Sequence, residues 1–171
     1  MVFLESVIDP ACTLVYEAEK TDARVMQRPP RDPREPLFNL GMLTVSLALG
    51  ATMLLAVLAV YAWALHAGYT EGETRAAAFA AIVAANVALI FVTRSRSRSA
   101  AAMLREPNPA LWWISACALG ALLAAIYVAP LADVFRFAPI GPAELAVAGA
   151  AGVAGVAWYE LWKLLRPSGK G

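Results

Sequence analysis

Four stretches of the sequence contain no formally charged residue, and three of them are long enough to cross a membrane as helices. They run from Leu40 to Ala67, from Ala76 to Thr93, from Pro107 to Ala132 and from Leu145 to Tyr159. A helix rises about 1.5 Å per residue, so about 20 apolar residues span the hydrocarbon core of a bilayer. The last stretch is short, and we place Glu144 and Glu160 at its two membrane surfaces. The chain is therefore predicted to be a bundle of membrane-spanning helices in a lipid bilayer.

The composition and charge exclude several other classes of protein. Hydrophobic residues make up 60% of the chain and charged residues 16%, whereas soluble domains are roughly half apolar and about a quarter charged. The net charge of +1 predicts no attraction to nucleic acid. No phosphate-binding loop, Ser/His/Asp arrangement or transition-metal spacing occurs in the sequence. We therefore assign no catalytic residue and no resident cofactor.

The basic residues predict how the chain is oriented. Twelve of the fourteen Lys and Arg residues precede the first stretch, separate the second from the third, or follow the last. The two intervening connections hold only Arg75 and Arg136. Basic residues favour the cytoplasmic side of a membrane. We predict an integral protein of the plasma membrane, with the loop before Leu40 and the C-terminus in the cytoplasm.

The predicted fold class is an all-α integral membrane protein, with four full transmembrane helices and a partial, Pro-broken N-terminal helix. The expected segments are a partial helix over 1–17, a cytoplasmic loop over 18–37, and helices over 38–67, 74–94, 109–132 and 142–165. Thr70 and Glu73 have capping-box spacing ahead of the second full helix.

Two pairs of small residues in the last helix, Ala148 with Gly152 and Ala151 with Gly155, are four residues apart. This spacing allows close contact with another helix. The alternative is an alanine-rich helix without a defined partner.

Residues 1–17 end at Glu17 and are otherwise apolar apart from Glu5 and Asp9, which lie in the middle of the segment. Its apolar residues contribute about −4 kcal/mol to membrane insertion, while two central acids cost about +5 kcal/mol or more. On its own the segment is not expected to insert reliably. It is either a membrane helix whose acids are offset by a partner, such as an Arg of another helix, or an amphipathic segment outside the membrane.

Oxygen atoms of this segment suit a hard cation. Glu5 and Asp9 are four residues apart and share one helix face, with Thr13 one turn further. Pro10 lacks an N–H, which frees the carbonyl of Ser6. Carboxylates and carbonyls are the ligands that calcium prefers, and acids inside a membrane indicate a functional site.

A second polar residue lies deep in a predicted span. Asn86 is eleven residues from Arg75 and eight from Arg94. It is interpreted either as an interhelical hydrogen-bonding residue or as a cation ligand.

Five segments together resemble the membrane region of cation-transporting P-type ATPases, most closely the calcium-pump-like branch. ESVIDPACTLVYEAE (Glu5–Glu19) and VMQRPPRDPREPLF (Val25–Phe38) are similar to the sixth transmembrane helix and the cytoplasmic loop that follows it. Arg75–Ser95, Asn108–Trp113 and Phe135–Leu145 look like the eighth to tenth helices. The resemblance covers essentially the whole chain.

The resemblance implies a metal site formed by three residues. Asp9 matches the cation-ligating aspartate on the unwound sixth helix, and Glu5 is one turn earlier, where calcium pumps use an asparagine. Asn86 matches an eighth-helix position that is a glutamate or glutamine in calcium pumps. The transported cation implied is calcium or another hard cation, and the carboxylate at Glu5 leaves its identity open.

The sequence departs from the family pattern in what it does not contain. The DKTGT and TGES motifs, a nucleotide-binding domain and the first five helices are absent, and Met1 falls within the sixth helix. We interpret the chain as truncated or split and expect no pumping from it alone. Its partner would then be the N-terminal part of the pump, assembled in trans. The alternative function is a small independent polytopic membrane protein that associates with or regulates another transporter.

Overall fold

A computed structural model of the chain describes residues 40–93 and 109–165, which form five helices and no strand. These are α1 (Leu40–His66), α2 (Glu71–Thr93), α3 (Pro109–Tyr127), α4 (Ala129–Phe135) and α5 (Pro142–Leu165). Three of them, α1, α2 and α5, are long and apolar enough to cross a membrane, and α3 with α4 makes a fourth span if counted together. The predicted all-α membrane bundle is confirmed. The segments predicted over 1–17 and 18–37 lie outside the described residues.

Helix α2 lies at the centre of the described bundle and packs against α1, α3 and α5. Its buried side chains are small, with Ala76, Ala81 and Ala85 fully enclosed. Small side chains let helix backbones approach closely, which is how helices associate where lipid removes the hydrophobic driving force. Helix α1, by contrast, exposes a series of leucines, including Leu47, Leu55 and Leu58. An apolar surface of this kind is suited to contact with lipid tails.

A capping box begins α2, as the sequence predicts. The Thr70 hydroxyl and backbone N–H both donate to Glu73 Oε2, at 2.7 and 2.8 Å. The Glu73 N–H donates to Thr70 Oγ1 at 3.4 Å. Because this cap satisfies N–H groups at the start of the helix, α2 begins at Glu71, three residues before the predicted start at residue 74.

The single helix predicted over 109–132 is instead two helices. Helix α3 ends at Tyr127, Val128 is extended (φ −90°, ψ 109°), and α4 begins at Ala129 after a bend of 86°. Pro130 explains the break, because proline has no N–H to donate and its ring clashes with the preceding turn of a continuous helix. Near the start of a new helix the same residue costs nothing.

The two pairs of small residues in α5 do have partners. A Cβ atom built on Gly152 would overlap the Ala81 carbonyl oxygen of α2 and lie 3.0 Å from its carbon. A Cβ on Gly155 would lie 2.8 Å from the Ala56 Cβ and 3.2 Å from the Thr52 carbonyl oxygen, both in α1. The prediction of close helix contact is confirmed, and α5 is in backbone contact with both neighbours.

A buried lysine joins α5 to the end of α2. The Lys163 ammonium donates to the Val92 carbonyl oxygen at 2.8 Å and pairs with Glu160 at 2.7 Å. It also lies 5.4 Å from the ring centroid of Tyr159. The last carbonyls of a helix lack intrahelical partners and carry partial negative charge, so a cation is favourable there.

We predict that Gly152→Ala destabilises the chain by about 1–3 kcal/mol, because the added methyl group must push α5 away from α2. The free energy of unfolding in mixed micelles of mild detergent and dodecyl sulfate measures the effect.

Gly149→Ala is the matched control on the same helix, because its added Cβ would meet only the Ala84 Cβ, at 4.0 Å. This control is expected to be neutral or slightly stabilising, since alanine favours a helix over glycine. Equal destabilisation by the two substitutions would contradict the packing argument.

Candidate cation-binding site

Of the three residues predicted to ligate a cation, one lies in the described part of the chain. Asn86 is in α2, two turns before the helix ends at Thr93, and its side chain is half-buried. Glu5 and Asp9 lie outside the described residues.

Asn86 occupies a flank of α2 between two packed faces. The preceding residue, Ala85, is buried with Leu49 of α1 and Val156 of α5. One turn after Asn86, Ile90 packs against Leu111 of α3. Each residue turns a helix by about 100°, so the Asn86 side chain falls between the face toward α1 and the face toward α3.

Within residues 40–93 and 109–165, the Asn86 amide makes no hydrogen bond. The interhelical hydrogen bond considered for this residue therefore has no partner among the described helices. An amide in the hydrocarbon region is costly without a partner. Its partial exposure leaves it open to a group outside these helices.

Other polar side chains of the bundle behave differently from Asn86. The Thr52 hydroxyl donates to the Ala48 carbonyl oxygen at 3.0 Å and accepts a 2.9 Å hydrogen bond from the Trp158 indole N–H. The hydroxyls of Thr74 and Ser115 have no hydrogen-bond partner in the part of the chain that the structure describes, but both are buried inside the bundle. Asn86 is thus a polar side chain of α2 that is both without a described partner and accessible from outside.

The carboxylates that the structure describes near the start of α2 serve other purposes. Glu71 pairs with Arg75 on the same helix, and Glu73 caps it. The Tyr69 hydroxyl donates to Glu144 Oε1 at 3.1 Å, which joins the connection before α2 to the start of α5. Partial burial, then this hydrogen bond and the charges of Glu144 and Glu73, raise the pKa of Tyr69. Among the described residues, no group of three or more His, Cys, Asp or Glu could hold a metal ion.

Sequence reasoning missed three of these features. The Tyr69–Glu144 and Lys163–Val92 contacts join residues more than seventy positions apart, and no local sequence pattern predicts them. Pro130, however, was a visible signal for the break between α3 and α4.

Comparison with known proteins identifies the family. The model of the family described as "Cation transporting ATPase, C-terminus" matches residues 1–165. Proteins named "Probable cation-transporting ATPase F" from Mycobacterium bovis and Mycobacterium tuberculosis are 32% identical over 90 residues, which is 53% of this chain and 10% of theirs. The chain therefore matches only a small part of the length of these relatives. Because the family match covers nearly all of the chain, the chain belongs to the C-terminal family of cation-transporting P-type ATPases.

Proposed function

We propose that this membrane domain contributes part of an intramembrane cation site, formed by Glu5, Asp9 and Asn86. The observation that supports it most directly is the Asn86 amide, which is half-buried in α2 and has no hydrogen-bond partner among the described helices. The family match over residues 1–165 includes all three positions. Cation pumping would belong to the whole ATPase, since the motifs for phosphorylation by ATP are not in this sequence.

The three residue types suit a hard divalent cation. Two carboxylates balance a charge of +2, and the amide carbonyl of an asparagine adds a neutral oxygen with two lone pairs. Calcium takes six to eight oxygen ligands, so water or groups of other helices would complete the shell. A bound cation would in turn offset the cost of placing two acids within the membrane.

The described helices would act as the rigid support for Asn86. Close contact with α5 at Gly152 and the Lys163 hydrogen bond to Val92 hold α2 on the side away from Asn86 and at its end. A ligand placed on a packed helix is held more precisely than one on a loop. Asn86 would therefore present its oxygen at a fixed depth and direction.

We expect calcium binding by the purified chain in lipid nanodiscs to depend on Asp9 and Asn86. In titration calorimetry up to millimolar calcium, Asp9→Asn should abolish the binding heat. Asn86→Leu should weaken affinity at least about tenfold, since an oxygen contact to a charged partner contributes about 1.5–3 kcal/mol.

Ser46→Ala, which removes an exposed hydroxyl from α1, is the control and should leave binding unchanged. No binding by the unmodified chain would contradict the expectation that these residues bind calcium without the other helices of a pump. Equal binding by all variants would remove both residues from the site.

We also propose that the chain lies in the plasma membrane with its acidic end outside. The acidic end comprises the connections before α2 and before α5, together with Glu71, Glu73, Asp133 and Glu144. The first turn of α2 is in contact with the connection before α5 there, because a Cβ on Gly72 would lie 3.0 Å from the Ala138 Cβ. The arginines of the connection between α2 and α3 would then face the cytoplasm, as the positive-inside rule requires.

Labelling with a membrane-impermeant maleimide tests this orientation in a background with Cys12 and Cys117 replaced by serine. A cysteine at exposed Ala67 should be labelled in intact cells, whereas one at Ser97 should need permeabilised cells. Labelling of the Ser97 site alone in intact cells would show the opposite orientation and contradict the proposal.

A further inference from the structure

Helix α3 nearly spans a membrane by itself, so α4 is not needed to complete the crossing. Its 19 residues extend about 28 Å, against a hydrocarbon core of about 30 Å. The axis of α4 is bent by 86° from the axis of α3. A helix perpendicular to a spanning helix at the end of that span runs along the membrane surface.

The seven residues of α4 present three different faces. Ala132 is buried toward the bundle, and the ring of Phe135 stacks on Phe79 of α2 at 6.3 Å between centroids. Leu131 and Val134 are 41% and 75% exposed, and helical geometry sets them only about 60° apart. Asp133 is exposed about 100° beyond Val134, on the side away from Leu131. The helix therefore has one face packed on the bundle, a second that is apolar and exposed, and a third that carries a charge.

The exposed apolar face of α4 continues the apolar surface of α3. Leu123 and Tyr127 of α3, and Val128 directly before α4, are each between 45% and 47% exposed. The Tyr127 hydroxyl donates to the Ile140 carbonyl oxygen at 2.7 Å, which gives the ring one polar and one apolar end. Tyrosine in this arrangement is typical of the boundary between lipid tails and water.

We propose that α4 is an interfacial helix that binds the surface of the bilayer at the acidic end, with Leu131 and Val134 inserted into the boundary between headgroups and acyl chains. Asp133 faces water, and Phe135 holds the helix against α2. The helix fixes the depth of the connection that leads into α5, whose Glu144 accepts the hydrogen bond from Tyr69. Because α4 carries no basic cluster, the surface it fits is that of a phospholipid bilayer in general, with no requirement for anionic lipids.

Site-directed spin labelling of the full chain in phosphatidylcholine vesicles tests this proposal. Single cysteines replace Leu131, Val134 or Asp133 in a background without Cys12 and Cys117, and a label at exposed Leu58, within the span of α1, provides the deep reference. Power saturation compares collisions with oxygen, which dissolves in lipid, and with a water-soluble nickel chelate.

The ratio of oxygen to nickel collisions should be severalfold higher at Leu131 and Val134 than at Asp133. The two apolar sites should lie roughly 5–10 Å below the headgroup surface, shallower than Leu58. High nickel accessibility at Val134, equal to that at Asp133, would place α4 in water and overturn the proposal. Low accessibility of Val134 to both reagents would show that protein covers this face, and would overturn it equally.

Discussion

The close approach of α5 to α2 at Gly152 is the contact on which the rest of the bundle depends. A membrane offers helices no hydrophobic gain for associating, so van der Waals contact between backbones and a small number of interhelical hydrogen bonds must hold them together. Gly152 allows the backbone contact, because any side chain at this position would meet the Ala81 carbonyl. Lys163 supplies an interhelical hydrogen bond at the end of the same pair of helices. The central position of α2 follows from both.

Once α2 is fixed in this way, the flank that carries Asn86 is determined. One other face of α2 is packed through alanines such as Ala85, and another through Ile90, which contacts α3. A polar group on the remaining flank would be costly as an isolated side chain in lipid, because lipid tails cannot hydrogen-bond it. The proposed cation site would give that amide a partner, and a bound cation would offset the cost of placing Glu5 and Asp9 in the membrane.

The sequence predicted most of the fold, because charge-free length and helix caps are local signals. The capping box of Thr70 and Glu73 and the spacing of Gly152 and Gly155 are of this kind, and the structure bears them out. The predicted helix over 109–132 overran its true end, since the length of the uncharged stretch was given more weight than Pro130. The depth of Asn86 in the bundle was also readable from the sequence. The neighbours of Asn86 could not be predicted from the sequence, because the rotation of α2 is set by packing against three other helices. The roles of Glu5 and Asp9 stay predictions.

If Asn86 and Asp9 ligate the same cation, their side chains lie within reach of a short cross-linker. Cysteines at both positions, with Cys12 and Cys117 replaced, are treated with a short bifunctional thiosulfonate reagent in native membranes. Ala84 is the control position on α2, because its Cβ faces Gly149 of α5. A shared cation site requires cross-linking of the Asp9 site to the Asn86 site and none to the Ala84 site. Cross-linking to Ala84 alone, or to neither position, would contradict it.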